Sequence, residues 1–265
     1  YMREELFPPM VEALHKLGGI PIKPILAESM QMGDENHTRQ TACDYIYDRL
    51  MLPALFELDR PKKEIMKTVR YIVDTPRFFH CYGQAAARAA LVAADGTEYS
   101  TMVTAVCGNG VEFGIKIASL RGQWFTAPAP MMKGRYTSSE FTEKDQLPWM
   151  GDSCVVECYG MGGFAAAASP IVCNLRGMTL KESIGQTKEM YRITMEKNYN
   201  FPIPNLDFDF LPVGIDIRKV LKEGVCPAIH GGMFNRVGGL IGAGMARVPM
   251  QCFEKALVAF GEKYL

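Results

Sequence analysis

After residue 100 the apolar residues stop recurring every three or four positions and begin recurring every two, and no single-class fold accommodates that change. Before it, Ala42, Tyr45, Ile46 and Leu50 fall at helical spacing, with Pro53 expected to end or kink their helix. Ile65, Val69 and Ile72 mark a second helix, and the alanine-rich stretch 77–95 a third. "ADGTE" (94–98) is a turn signal. From 101, "TMVTAVC" and "VEFGIKIAS" flank "GNG", the pattern of a hairpin turning at Asn109-Gly110, and "QWFTAP" adds a strand. The reading is an α+β fold. A helical N-terminal subdomain covers 1–95, and a mixed α/β domain with an antiparallel hairpin covers 96–265.

Residues 128–150 read as a loop long enough to carry function. Thr179 and Glu182 form a capping box, with Leu180, Ile184, Tyr191 and Met195 continuing a helix behind it. A last helix carries Met250, Phe253, Leu257 and Phe260 on one face. The glycine-rich stretch "HGGMFNRVGGLIGAG" (230–244) cannot be a regular helix and points to backbone lying against a ligand or another strand.

Composition removes several classes of function. Lys plus Arg number 29 and Asp plus Glu 29, which leaves no electrostatic case for nucleic acid or an anionic membrane. No apolar run reaches the roughly 18 residues of a membrane helix. The opening "YMREELFPPM" has no signal-peptide pattern and reads as the interior of a longer polypeptide, of which this is the C-terminal part. Eight cysteines without a C-x-x-C suit buried thiols in the cytoplasm, with neither metal nor cofactor expected.

Three stretches carry candidate chemistry. "MGDENHTRQ" (32–40) packs Asp34, Glu35, His37 and Arg39 together. It reads either as a helix start, with Asp34 as cap and Glu35–Arg39 as an i, i+4 pair, or as a site. "DSCVVECYGMGGFAAAASP" (152–170) is a strand-like run bearing Asp152 and Glu157 that enters Gly160, Gly162 and Gly163 before an alanine-rich helix. Such glycines serve tight packing or let backbone N–H groups meet an anion. The spacing also satisfies G-x-G-x-x-A. The acidic residue that a dinucleotide site wants about 20 positions on is Glu182, already committed to the capping box, which sets that reading aside. In "GIDIRKVLKEG", Asp216 is a helix cap, and Arg218 is either a solvated charge or a clamp for an anion.

Taken in order, "MGDENHTR", "GNGVEFGIKI", "WFTAPAP", "GDSCVVECYGMGGFAAAASP", "PVGIDIRKV" and "GAGMARVPMQCFEKAL" resemble the YlbE-like family of bacterial proteins, found beside FdrA-type proteins in ureide (purine) catabolism. The resemblance covers about residues 30–258 and implies an α+β fold with a helical subdomain. It implies a subunit of oxamate carbamoyltransferase, an oligomer with an FdrA-type partner. That enzyme links oxalurate and phosphate to oxamate and carbamoyl phosphate; a related amide substrate is the variant reading. On this view Glu35, His37, Asp152 and Glu157 move protons. Arg39, Asn109, Gly160, Gly162, Gly163, Asp216 and Arg218 hold the anionic substrate. The Ser-Thr-Arg-Thr phosphate motif of other carbamoyltransferases is absent. A non-catalytic scaffold for the FdrA-type partner is the alternative.

Overall fold

The computed structural model describes residues 1–265, apart from the side chain of Leu175. A π-helical turn at Met2–Leu6 leads into α1 (Phe7–Lys16), α2 (Ile22–Gln31), α3 (Thr41–Phe56), α4 (Lys62–Asp74) and α5 (His80–Val92). The strands begin with β1 (Val103–Asn109), β2 (Glu112–Ile117), β3 (Phe125–Pro128), β4 (Lys133–Tyr136) and β5 (Met150–Gly151). There follow α6 (Val155–Cys158), a 3-10 segment at Gly162–Ala168, α7 (Pro170–Leu175) and α8 (Leu180–Ile193). The chain closes with β6 (Thr194–Ile203), β7 (Asp209–Ile215), α9 (Ile217–Glu223), β8 (Ala228–Phe234), β9 (Leu240–Arg247) and α10 (Met250–Tyr264). The fold is α+β: its strands pair antiparallel in sheets ordered β3-β2-β1-β5, β4-β9-β8 and β6-β7.

Local signals account for much of this. Asn109 Oδ1 accepts the N–H groups of Val111 (2.9 Å) and Glu112 (2.8 Å), closing the β1–β2 turn. The Thr179–Glu182 capping box starts α8, and Asp216 caps α9 by accepting the Arg218 N–H at 2.9 Å. The glycine-rich stretch becomes β8 and β9. There Gly134 of β4 lies so close to β9 that a Cβ would stand 2.1 Å from the Ala243 carbonyl oxygen.

Other expectations need correcting. Pro53 lies inside α3, one turn before its end. The inward face of α3 is Cys43, Tyr47, Met51 and Leu55, whereas Tyr45 and Leu50 are 53% and 38% exposed. That helix is apolar around most of its circumference, so spacing alone does not orient it. The expected 128–150 loop contains β4. The strand-like run at 154–159 is the short helix α6, buried throughout, and a short, wholly apolar run has no period to read. The alanine-rich segment behind it is 3-10 rather than α. Along α8, Leu180 is exposed and Met195 falls in β6; the helix buries Ser183, Gln186 and Thr187 together with Met190 and Ile193.

The polar part of that face meets the 3-10 segment, where Thr187 Oγ1 accepts the Ala167 N–H at 3.0 Å. The 3-10 segment packs against α8, β8 and α6, and α6 against α5 and β1. Gly163 sits where β8 passes: a Cβ there would stand 2.1 Å from the Ala228 oxygen and 2.6 Å from its carbonyl carbon. Backbone cannot yield as a flexible side chain can. Gly163→Ala should therefore destabilise the fold by about 1–3 kcal/mol. Gly185→Ala, on exposed α8 surface with nothing within 4 Å, should stabilise it by up to ~1 kcal/mol. Urea denaturation of both variants checks the opposite signs, and equal midpoints would refute this account of the packing.

Candidate active site

The stretch 32–40 is a loop rather than a helix start, and most of it is buried although Met32 is 49% exposed. Asp34, Glu35, Asn36, His37 and Gln40 are all buried in the loop between α2 and α3. Asp34 does cap α3, from seven residues ahead of Thr41, its Oδ2 accepting the N–H groups of Ala42 (2.7 Å) and Cys43 (3.1 Å). Asn36, at φ 61, ties the loop back to α2 by donating to the Leu26 carbonyl at 2.9 Å. The expected Glu35–Arg39 pair is absent, because Arg39 Nε lies 3.2 Å from Asp34 Oδ1. Glu35 Oε1 instead accepts the backbone N–H groups of His37, Thr38 and Arg39.

Two buried carboxylates meet here. Glu157 Oε1 accepts from His37 Nδ1 (2.8 Å), the Gly163 N–H (3.1 Å) and the His230 N–H (2.8 Å). Burial pushes the Glu157 carboxyl upward against His37 and those N–H donors. Glu35 Oε2 lies 3.0 Å from His230 Nδ1. Burial would raise Glu35 too, but the His230 hydrogen bond and the Arg176 charge outweigh it and hold its carboxyl at about 2. The Gln186 amide donates to the Gly163 carbonyl (2.7 Å) and lies 3.0 Å from His230 Nε2, while His230 Nδ1 faces both the Glu35 carboxylate and the Arg176 guanidinium. Burial and Arg176 push His230 down to about 3. Arg176, buried, also bonds Thr38 Oγ1 and donates to the Gly244 carbonyl at 3.1 Å.

Above the cluster opens a cleft of about 500 Å³. His37 reaches it through Nε2, which lies 2.9 Å from Ser153 Oγ, and stacks on His80 with ring centroids 5.7 Å apart. Among the described residues Arg77 is the single Lys or Arg lining the cleft. Arg77 is held at φ 62, a strained position for a residue with a Cβ; Asp44 fixes it by accepting the Arg77 (2.8 Å) and Phe79 (2.9 Å) N–H groups.

The structure thus brings Glu35, His37 and Glu157 together and leaves other candidates elsewhere. Asp152 is exposed at the cleft rim, and its neighbour Ser153 makes the contact to His37. In the glycine turn, Gly160 N–H goes to the Glu157 carbonyl, Gly162 N–H to the Glu35 carbonyl at 2.7 Å, and Gly163 N–H to the Glu157 carboxylate. The anion at that turn is therefore internal. At φ 59 a Gly162 Cβ would stand 2.3 Å from Glu157 Oε1, so only glycine fits. Asn109 serves its hairpin turn. Arg218 is 63% exposed and grips its own cap, Nη2 to Asp216 Oδ2 at 2.9 Å, with Asp216 also bound to Thr101. Neither Asn109 nor that pair lines the cleft. Ser153, Arg77, Arg176 and His230 join the site with no local signal in the sequence. No group of three potential ligands arranged to hold a metal ion occurs among the described residues.

Fold and cluster together define an α+β protein with a buried carboxylate–histidine cluster beneath an open cleft lined by one cation among the described residues. The chain belongs to the AllG family: the family model described as "Oxamate carbamoyltransferase subunit AllG" matches residues 1–153, more than half of it. Over 266 residues it is 35% identical to the oxamate carbamoyltransferase subunit AllG of Escherichia coli (strain K12), covering 99% of this chain and 63% of that protein. It is also 35% identical over 266 residues to the uncharacterized protein YahG of the same strain, covering 100% and 56%. A solved structure, that of a conserved protein of unknown function from Enterococcus faecalis V583, matches with a TM-score of 0.96 and 35% identity over 100% of this chain and 64% of that one. The chain spans between 56% and 64% of the length of these relatives.

The histidines carry a pH signature. Burial, His37 and Arg77 push His80 from 6.5 down to about 4. Between those values the unfolded chain binds a proton that the fold refuses, so stability is lost as pH falls. Asp34, raised to about 6 by burial, acts in the opposite sense, but equally in parent and variant. His80→Gln should therefore flatten the loss between pH 6.5 and 4, by up to about 1.4 kcal/mol per pH unit. Urea titrations across that window test this, and parallel curves would count against a neutral His80.

Proposed function

We propose that this chain is the subunit of a carbamoyltransferase that contains the reacting centre, in an oligomer with an FdrA-type partner in ureide catabolism. The reaction is carbamoyl exchange between oxamate and phosphate: oxalurate plus phosphate give oxamate plus carbamoyl phosphate. Membership of the AllG family supports the class of reaction. The observation that carries the assignment to this chain is His37, held by a buried carboxylate on one nitrogen and open to the cleft on the other.

The chemistry asks for a few groups, and the cleft supplies them. Cutting the carbamoyl–nitrogen bond of oxalurate requires a proton for the departing oxamate nitrogen; His37 Nε2 is the donor at hand, with its orientation set through Nδ1 by Glu157. Oxamate, oxalurate and phosphate are anions, and Arg77 can hold a carboxylate or phosphate through two parallel hydrogen bonds. A cleft walled by Gly231, Gly232 and Trp149 admits the planar carbamoyl group close to the backbone. Glu35, Arg176 and His230 keep the loop and β8 in register beneath it. No metal and no cofactor enters this scheme.

Arg77 is exposed, so its loss should leave the fold intact while removing charged hydrogen bonds of about 1.5–3 kcal/mol. In the assembled enzyme, Arg77→Ala should weaken phosphate and oxamate binding by roughly 10- to 150-fold. Arg218→Ala, which disturbs only a surface cap, should leave both affinities unaltered. Calorimetric titration reads the two variants side by side; unchanged affinity in Arg77→Ala would remove the cleft from the substrate's path.

A further inference from the structure

One group at the site has no part in a simple proton relay, and that is the Ser153 hydroxyl. We propose that Ser153 Oγ is a nucleophile that takes the carbamoyl group as a covalent carbamate ester before passing it to phosphate. This rests on the carbamoyl-transfer reading and deepens it.

Three observations carry the proposal. Ser153, Nε2 and Nδ1 of His37 and the Glu157 carboxylate stand in series, at 2.9 Å and then 2.8 Å, the order of nucleophile, base and orienting carboxylate. The series is rigid at its far end, because Glu157 Oε1 is also held by two backbone N–H groups and His80 stacks on the His37 ring. Ser153 is half-buried and lines the cleft at the turn from β5 into α6, where a substrate carbonyl can reach it.

The second observation concerns the oxyanion. β8 is an edge strand, paired with β9 on one side only. On its other side the Ala228 N–H faces Met190 Sδ and the His230 N–H faces Glu157. Alternation along a strand turns the Gly232 N–H to that same unpaired edge, and Gly232 lines the cleft. A donor of this kind stabilises the charge that develops on a carbonyl under attack.

The third observation is the charge count. With Arg77 the single cation lining the cleft, oxalurate and phosphate bound together would bring two anions to one guanidinium. A covalent intermediate lets the anions enter in turn. In the first half, Ser153 Oγ attacks the ureido carbonyl and its proton passes to His37 Nε2. The carbon–nitrogen bond breaks, and His37 returns that proton to the departing oxamate nitrogen. In the second half, a hydrogen phosphate oxygen attacks the carbamate carbon, the Oγ–carbon bond breaks, and His37 carries the phosphate proton to Ser153 Oγ. Atoms and charges balance with no other reactant.

The test uses the assembled enzyme, carbamoyl phosphate and labelled inorganic phosphate, with oxamate left out. Exchange of label into carbamoyl phosphate, together with a carbamoyl adduct mapped to Ser153 after acid quench, is the expected result. Ser153→Ala should abolish the adduct and lower exchange by on the order of 10³-fold or more, with phosphate affinity retained. An adduct on Ser153 from 4-nitrophenyl carbamate but none from carbamoyl phosphate would uphold the nucleophile and overturn the carbamoyl phosphate assignment. Turnover of carbamoyl phosphate with oxamate, but no exchange without it and no adduct, would overturn Ser153 while leaving carbamoyl transfer standing. So would full activity in Ser153→Ala.

Discussion

A single oxygen, Glu157 Oε1, sets the conformation of three separate parts of this chain. It accepts from His37 in the α2–α3 loop, from Gly163 in the 3-10 segment and from His230 in β8. A buried carboxylate without such donors is costly, so each segment is obliged to present one. The obligations propagate. Gly162 must take φ 59 to let the turn wrap the carboxylate, and its own N–H then binds the Glu35 carbonyl. Glu35 in turn gathers the N–H groups of the loop and receives His230 on its second oxygen. The two carboxylates are thereby locked to the same strand and the same loop.

This arrangement also decides how the cleft meets charge. Arg176 lies beneath the cleft, buried and engaged with Glu35, His230 and Thr38, so its charge is spent inside the protein. His80 and His230 are kept neutral by burial. The cation left facing solvent is Arg77, whose strained backbone is maintained by Asp44. The cleft thus sets one cation beside a histidine of fixed orientation.

The sequence made the local devices legible: the Asn109 turn, the Thr179–Glu182 capping box and the Asp216 cap each depend on residues a few positions apart. The "GDENHTR" stretch was legible as dense in ionisable groups, although its conformation was not. What could not be read was long-range. His37 and Glu157 are 120 positions apart, and His230 and Glu35 are 195 apart. The glycine turn was read as tight packing or a place for an anionic ligand, and nothing local says that Glu157 lies against it. Arg218 looked misplaced at a helix start, but the cap next to it already neutralises it. Ser153 and Arg77 carry no local signal beyond an unremarkable loop position, and only packing turns them towards His37 and the cleft.

On the proposed function, the Glu157 charge serves chemistry at His37 and its hydrogen-bonding oxygen serves the fold. Glu157→Gln separates the two, since the amide oxygen can still accept three donors while the charge behind His37 is lost. Steady-state kinetics of carbamoyl transfer by the assembled enzyme, alongside urea denaturation of the same variant, reads both. A cooperative fold, an unchanged KM and a kcat lowered by about 10²–10⁴-fold are the expected result. A variant that turns over at the parental rate would contradict that role for the charge.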